Sequence, residues 1–250
     1  MATIDIREDA GVRTLHFGSD WIQGAMRIAR PWNLELEYTK EMMASLLLRE
    51  DSRFPRKALL IGLGAASLTK FLYRHFPQTQ LTVVEIEPAV VHAARQFFKL
   101  PEDPARLNIV IADGVDFIAS NNKTWDLILV DGFDADARPG ALDSEPFYLA
   151  ARARLGRHGI LAVNLLGRSR GYKASLARLA DTFEDRVLAF PSCDSGNVIA
   201  FAAGSEPVRV ELRDLRDHAL ALKARTGLNL LPTLSRVEGA KTCRRGVLEI

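Results

Sequence analysis

A strand–helix rhythm constrains this chain more than any other feature. Apolar runs at residues 58–61, 81–84, 109–111, 127–130 and 160–163 are separated by stretches with apolar residues at helical spacing, 66–76, 88–98, 115–120 and 146–155. The runs show no polar alternation, so both faces of each strand need cover. Strands of this kind, alternating with helices, predict an α/β fold: a doubly wound, mostly parallel sheet. A further helix over 173–183 precedes two runs, 187–190 and 198–203, that are close enough to pair as antiparallel strands. A helix is expected over 212–225, and the residues after it carry no readable pattern.

Before the rhythm starts, residues 3–7, 12–17 and 21–28 read as short strands, divided by Asp9-Ala10-Gly11 and Gly18-Ser19-Asp20, which are turn chemistry. Apolar positions over 36–48 then recur at helical spacing. The expected organisation is a small N-terminal β region with a linking helix over 1–50, followed by a Rossmann-like nucleoside-binding catalytic domain over 51–250. A net charge of +2 gives no electrostatic case for a nucleic-acid partner. No apolar stretch reaches the length of a membrane span, and MATIDIREDAG lacks the apolar region of a signal peptide. The two cysteines, Cys193 and Cys243, form no metal-binding spacing, so the expectation is a cytoplasmic protein.

Chemistry concentrates where strands run into helices. The first apolar run leads into Gly62-Leu63-Gly64, where the chain must turn sharply and let a ligand near the backbone. The second ends in VVEIEP, which places Glu85 where an acid of a doubly wound fold accepts from the two ribose hydroxyls of an adenosine ligand. The third runs into Asp113-Gly114; Asp113 can accept from an adenine amine or cap the helix that follows. NAD normally asks for a third glycine at the first turn. S-adenosylmethionine and its relatives have no pyrophosphate and tolerate the looser G-L-G-A-A-S.

The fourth run ends in LILVDGFDADARPG, with acids at Asp131, Asp134 and Asp136. Read from Asp134 as a calcium loop, Arg138 and Pro139 fall where an oxygen ligand and a glycine belong, so no metal is expected. Asp131 and Asp134 form a pair suited to an organic cation, and Asp136 reads as solvated loop.

The ordered set LLIGLG, VEIEP, ADG, VDGFD, Ser144-Glu145-Pro146-Phe147-Tyr148, Gly159-Ile160-Leu161 and Pro191-Ser192 resembles the spermidine synthases, a family of polyamine aminopropyltransferases. The resemblance implies the class I S-adenosylmethionine-dependent methyltransferase-like fold, with an antiparallel last strand. It also implies transfer of an aminopropyl group from decarboxylated S-adenosylmethionine to a putrescine-like diamine. In that reading Glu85 holds the ribose and Asp113 the adenine, with Gln23, Gly62, Gly64 and Gly114 on the nucleoside side. Asp131 is the catalytic base, and Asp134 and Tyr38 hold the amine. A homodimer or higher homo-oligomer is expected, with residues 1 to 30 as its contact surface. Three places differ from the family pattern: Ala65 stands in place of an ammonium-binding Asp, Phe190 in place of a tyrosine, and Pro31-Trp32-Asn33-Leu34-Glu35-Leu36-Glu37-Tyr38 in place of a D-E-x-x-Y segment, with Tyr38 as the substitute tyrosine. They keep two alternatives open, a methyl or other group transferase that uses intact S-adenosylmethionine and a non-catalytic nucleoside-binding relative.

Overall fold

The computed structural model describes residues 3–51, 53–133, 139–167, 171–192, 196–240 and 242–250. The chain opens with three antiparallel strands, β1 (Ile4–Asp9), β2 (Val12–Phe17) and β3 (Gly24–Arg27), and a short helix, α1 (Glu37–Met42). The strand–helix series follows: β4 (Lys57–Ile61), α2 (Ser67–His75), β5 (Gln80–Glu85), α3 (Pro88–Phe98), β6 (Leu107–Ile111), α4 (Gly114–Ser120), β7 (Trp125–Val130), α5 (Glu145–Arg154), β8 (Leu155–Leu166) and α6 (Tyr172–Thr182). Then come β9 (Val187–Pro191), β10 (Asn197–Ala203), β11 (Arg209–Glu211), α7 (Leu212–Thr226), α8 (Leu231–Glu238), β12 (Cys243–Arg244) and β13 (Val247–Glu249).

The main sheet has seven strands in the order β6-β5-β4-β7-β8-β10-β9. The five strands from β6 to β8 are mutually parallel, whereas β10 is antiparallel to both its neighbours. Successive residues of a strand point to opposite faces, and the apolar runs feed two cores. Ala58, Leu60, Leu127 and Leu129 pack on the side of α1, α2 and α3; Leu59, Ile61, Ile128 and Val130 pack under α4, α5 and α6. From β4 the chain winds outward to β6, then returns to β7 on the other side. The carboxyl ends of β4 and β7 therefore flank the switch point, where ligands settle in doubly wound sheets.

Three expectations need correction. The third N-terminal strand starts at Gly24 rather than 21, because Trp21 and Ile22 turn out to solvent at a cavity mouth. The helix expected over 36–48 is α-helical only to Met42 and tightens to a 3-10 turn over Met43–Leu47, whose residues are all buried. The patternless tail is ordered: β11, β13 and β12 form a small antiparallel sheet, and α8 packs near β9. There Arg236 pairs with the buried Glu41 of α1, tying the last helix to the first.

Candidate functional site

Two cavities of about 410 and 260 Å³ open at the switch point. They share a wall made by Gln23, Gly62, Leu63, Gly64, Asp131 and Phe133. The smaller continues to Glu85, Ile86, Asp113 and Gly114; the larger to Tyr38, Ala65, Asn164 and Asn197. Every charged residue lining either cavity is acidic: Asp20, Glu37, Glu85, Asp113 and Asp131. Among the described residues, no Lys, Arg or His faces this cleft.

The glycines are required by the chain's own backbone as well as by any ligand. Gly62 has φ +95°, and a Cβ there would lie 2.1 Å from the carbonyl oxygen of Asp131. Gly64, at φ +50°, is pressed against the Gln23 carbonyl in the same way. Gly24 in β3 has no room for a Cβ against Ala65. The N-terminal sheet is thereby seated directly on the glycine turn, and Ser67 at the start of α2 donates to the Ala25 carbonyl at 3.1 Å.

Glu85 is buried at the end of β5, where its two oxygens accept from the backbone N–H groups of Leu63 (2.9 Å) and Glu87 (3.0 Å). Burial raises its carboxyl, while these backbone donors pull the other way. Each oxygen keeps a further lone pair. Asp113 caps α4, accepting from Val115 N at 2.7 Å and Asp116 N at 3.4 Å. Of its two expected roles, the cap is the one formed within the chain itself, and the side chain still borders the smaller cavity. Gly114 packs against Ile61, which a Cβ would meet at 2.5 Å.

Asp131 follows the last residue of β7 and is partly buried. Its backbone N–H donates to the Ile61 carbonyl at 2.9 Å, pinning it to β4. The carboxylate accepts from the Tyr38 hydroxyl at 3.1 Å and from Asn164 Nδ2 at 2.8 Å. Burial raises this carboxyl above the usual range, and the Asn164 and Tyr38 hydrogen bonds oppose the rise. The Tyr38 hydroxyl is held well above its ordinary value, by burial first and then by the charge of Asp131. Asp134 and Asp136 lie outside the described residues.

Sequence reasoning missed Asn164 and Asn197. The apolar run at 160–163 stops one residue short of Asn164, and an amide at the carboxyl end of a parallel strand is itself a usable signal. Asn197 opens β10, and only the β10–β8 register brings it to Asn164. Phe190, paired through Ile199 with Asn164, lies on the same face of the sheet but lines neither cavity: it is buried in β9 and meets Phe201 edge-on, with ring centroids 5.7 Å apart. Ala65, 2% exposed, does line the larger cavity.

The central sheet, the glycine turn and the acid at the end of β5 define a class I S-adenosylmethionine-dependent methyltransferase-like fold. A model of the spermine/spermidine synthase domain matches residues 36–165, just over half the chain. A polyamine aminopropyltransferase of Chromobacterium violaceum is 34% identical over 238 residues, covering 95% of this chain and 90% of that protein. The chain belongs to the spermine/spermidine synthase family. Among solved structures, human methyltransferase-like protein 13 in complex with SAH matches with a TM-score of 0.69 and 28% identity, covering 77% of this chain and 93% of the other. A probable spermidine synthase from Corynebacterium glutamicum matches in fold with a TM-score of 0.70, at 20% identity over 81% of this chain and 77% of the other.

Proposed function

We propose that the protein transfers an aminopropyl group from decarboxylated S-adenosylmethionine to a small diamine, with Asp131 as the base. The observation that carries this reading is the placement of Asp131 on the wall between two cavities whose charged lining, among the described residues, is wholly acidic. The nucleoside occupies the smaller cavity, its ribose on Glu85, its adenine beside Asp113 and Gly114, and Gln23, Gly62 and Gly64 at the sulfonium end. The diamine occupies the larger one, with Tyr38 beside it; for Asp134, outside the described residues, a role as second amine anchor rests on the family resemblance alone.

An alkylamine with a pKa of about 10.4 is almost wholly protonated at neutral pH, and freeing its lone pair costs about 4.6 kcal/mol. A carboxylate binds the ammonium form and accepts its proton. The freed nitrogen attacks the aminopropyl carbon bonded to sulfur. As the N–C bond forms, the S–C bond breaks, and its electron pair neutralises the sulfonium to methylthioadenosine. Holding the two reactants on opposite sides of one residue supplies the orientation that makes such a displacement effectively unimolecular.

Ala65 supports a second reading. With no acid at this position, nothing there repels the carboxylate of intact S-adenosylmethionine, and a methyl or other group transfer becomes the competing chemistry. Calorimetry with both cofactor forms, alongside product analysis with diamines, tests the two. Tighter binding of the decarboxylated form and an aminopropylated product support the first reading. Equal or tighter binding of the intact form, with a methylated product, replaces it. Binding without any product leaves a nucleoside-binding protein. Asp131→Asn is expected to lower transfer at least about a hundredfold while sparing nucleoside binding. A homodimer, expected from the family resemblance, belongs to the same proposal and is tested by sedimentation.

A further inference from the structure

Asn164 and Asn197 are 4% and 8% exposed, on neighbouring antiparallel strands. Asn164 lies opposite Ile199 and Asn197 opposite Leu166, so the two side chains are diagonal neighbours on one face of the sheet. That face is the one that α1 and Tyr38 cover. Asn197 Nδ2 donates to Asn164 Oδ1 at 2.8 Å, and Asn164 Nδ2 donates to Asp131 Oδ1 at 2.8 Å. The hydroxyl of Tyr38 reaches the other carboxylate oxygen.

A side-chain amide is nearly symmetric in shape but not in polarity. One end donates two hydrogens, and the other only accepts. Turned over, Asn164 would present its carbonyl oxygen to Asp131, an arrangement that repels a carboxylate and suits only a protonated acid. The NH2 of Asn197 opposes that turn, since it would then face another NH2.

We propose that Asn197 is a positioning residue for Asp131: by fixing the Asn164 amide with its NH2 toward the carboxylate, it keeps Asp131 charged and able to take up a proton. The inference rests on the reading of Asp131 as the base. The groups facing Asp131 are Tyr38 from α1 and Asn164 from β8, with the β4 backbone beneath. Glu37, Asp20 and Glu85 line the same cavities, so no described cation assists. Burial already pushes this carboxyl toward its neutral form. Two neutral donors provide the opposition, and one of them has a reversible orientation.

The test compares the wild type with Asn197→Leu, which removes the bias on Asn164, and Asn197→Asp. The latter can only accept, so it competes with Asp131 for the Asn164 NH2, and its own charge adds to the rise; Asn197→Leu, which brings no charge, is therefore the deciding variant. Two quantities are followed: the carbon-13 NMR titration of the Asp131 carboxyl in the ligand-free protein, and the pH profile of kcat/KM. The carboxyl is expected to titrate at higher pH in Asn197→Leu and higher still in Asn197→Asp. For Asn197→Leu, kcat/KM should fall about tenfold at the foot of the acid limb and by a smaller factor on the plateau, the size expected for one hydrogen bond to a charged group. An unmoved titration in folded variants overturns the inference. A moved titration with an unmoved kinetic profile upholds the positioning role and instead removes Asp131 as the base. If both variants fail to fold, proton NMR of the wild-type Asn164 side chain decides. One fixed amide with its NH2 toward Asp131 supports the inference, and a rotating or reversed amide overturns it.

Discussion

Replacing Gly62 with alanine should damage stability and the site together, through a contact that involves no ligand. The added Cβ would sit 2.1 Å from the Asp131 carbonyl oxygen, where real Cβ contacts stay beyond 3.0 Å, so β4 and β7 must separate by at least about 0.9 Å. The left-handed φ of +95° costs a non-glycine residue about 1–2 kcal/mol, and overpacking of this kind adds about 1–3 kcal/mol. A total of about 3 kcal/mol corresponds to a fall in Tm of roughly 6–12 °C for a domain of this size. Displacement of the same length would stretch the 2.8 and 3.1 Å hydrogen bonds to Asp131 past useful range, and misplacement of this order costs about a hundredfold in rate. Differential scanning calorimetry and a steady-state transfer assay measure the two effects. A Gly62→Ala protein within about 2 °C of wild type and within twofold in kcat/KM would refute this account of the turn.

Three further outcomes are expected. Tyr38→Phe deletes one of the two donors to Asp131, so transfer should fall roughly ten- to a hundredfold, with nucleoside affinity by calorimetry unchanged. Lys70 is buried, donates to the Phe98 carbonyl at the end of α3, and is pushed down from 10.5 to about 7, mainly by burial. Its penalty is greatest below the folded-state value and fades as the pH rises toward 10.5, so unfolding free energy should increase by about 2 kcal/mol between pH 7 and about 9. Urea titrations at the two pH values measure that slope, and Lys70→Met should remove it. Arg236→Met, which strips this cation from the fully buried Glu41, should cost about 3 kcal/mol in urea denaturation, while Glu41→Gln, which leaves the charge on the more exposed Arg236 with an amide oxygen to bond, should cost less.

The parts of the fold that could be read in advance are those written in local pattern. The five buried strands lacked polar alternation, and β4 through β8 are where that pattern put them. Gly62, Glu85 and Asp131 stand out as candidates because each sits where a strand ends, a position that the topology carries to one edge of the sheet. Less visible were features set by distant contacts. Nothing near Gly62 in sequence announces that the Asp131 carbonyl will lie against it. Asn197 has no local signature, because its role depends on the register of an antiparallel strand 33 positions from its partner. The resemblance also marks Phe190 as a departure; its ring lies in the core, in the same cross-strand row as Asn164, a relation that only the register of β9 and β10 reveals. Helix-like spacing over 36–48 could not reveal the switch to a 3-10 turn, which closes over an entirely buried segment.

The pairing of Arg236 with Glu41 bears on how the chain may be handled. Helix α8 touches neither cavity, and its sequence invites removal as a dispensable end. It nevertheless clamps α1, the element that delivers the Tyr38 hydroxyl to Asp131. Shortening the protein after Gly227 would leave the seven-stranded sheet and the smaller cavity intact on paper. It would also unlatch the front wall of the larger cavity, so the C-terminus is a poor place to trim and a sensitive place to attach a label that reports on that wall.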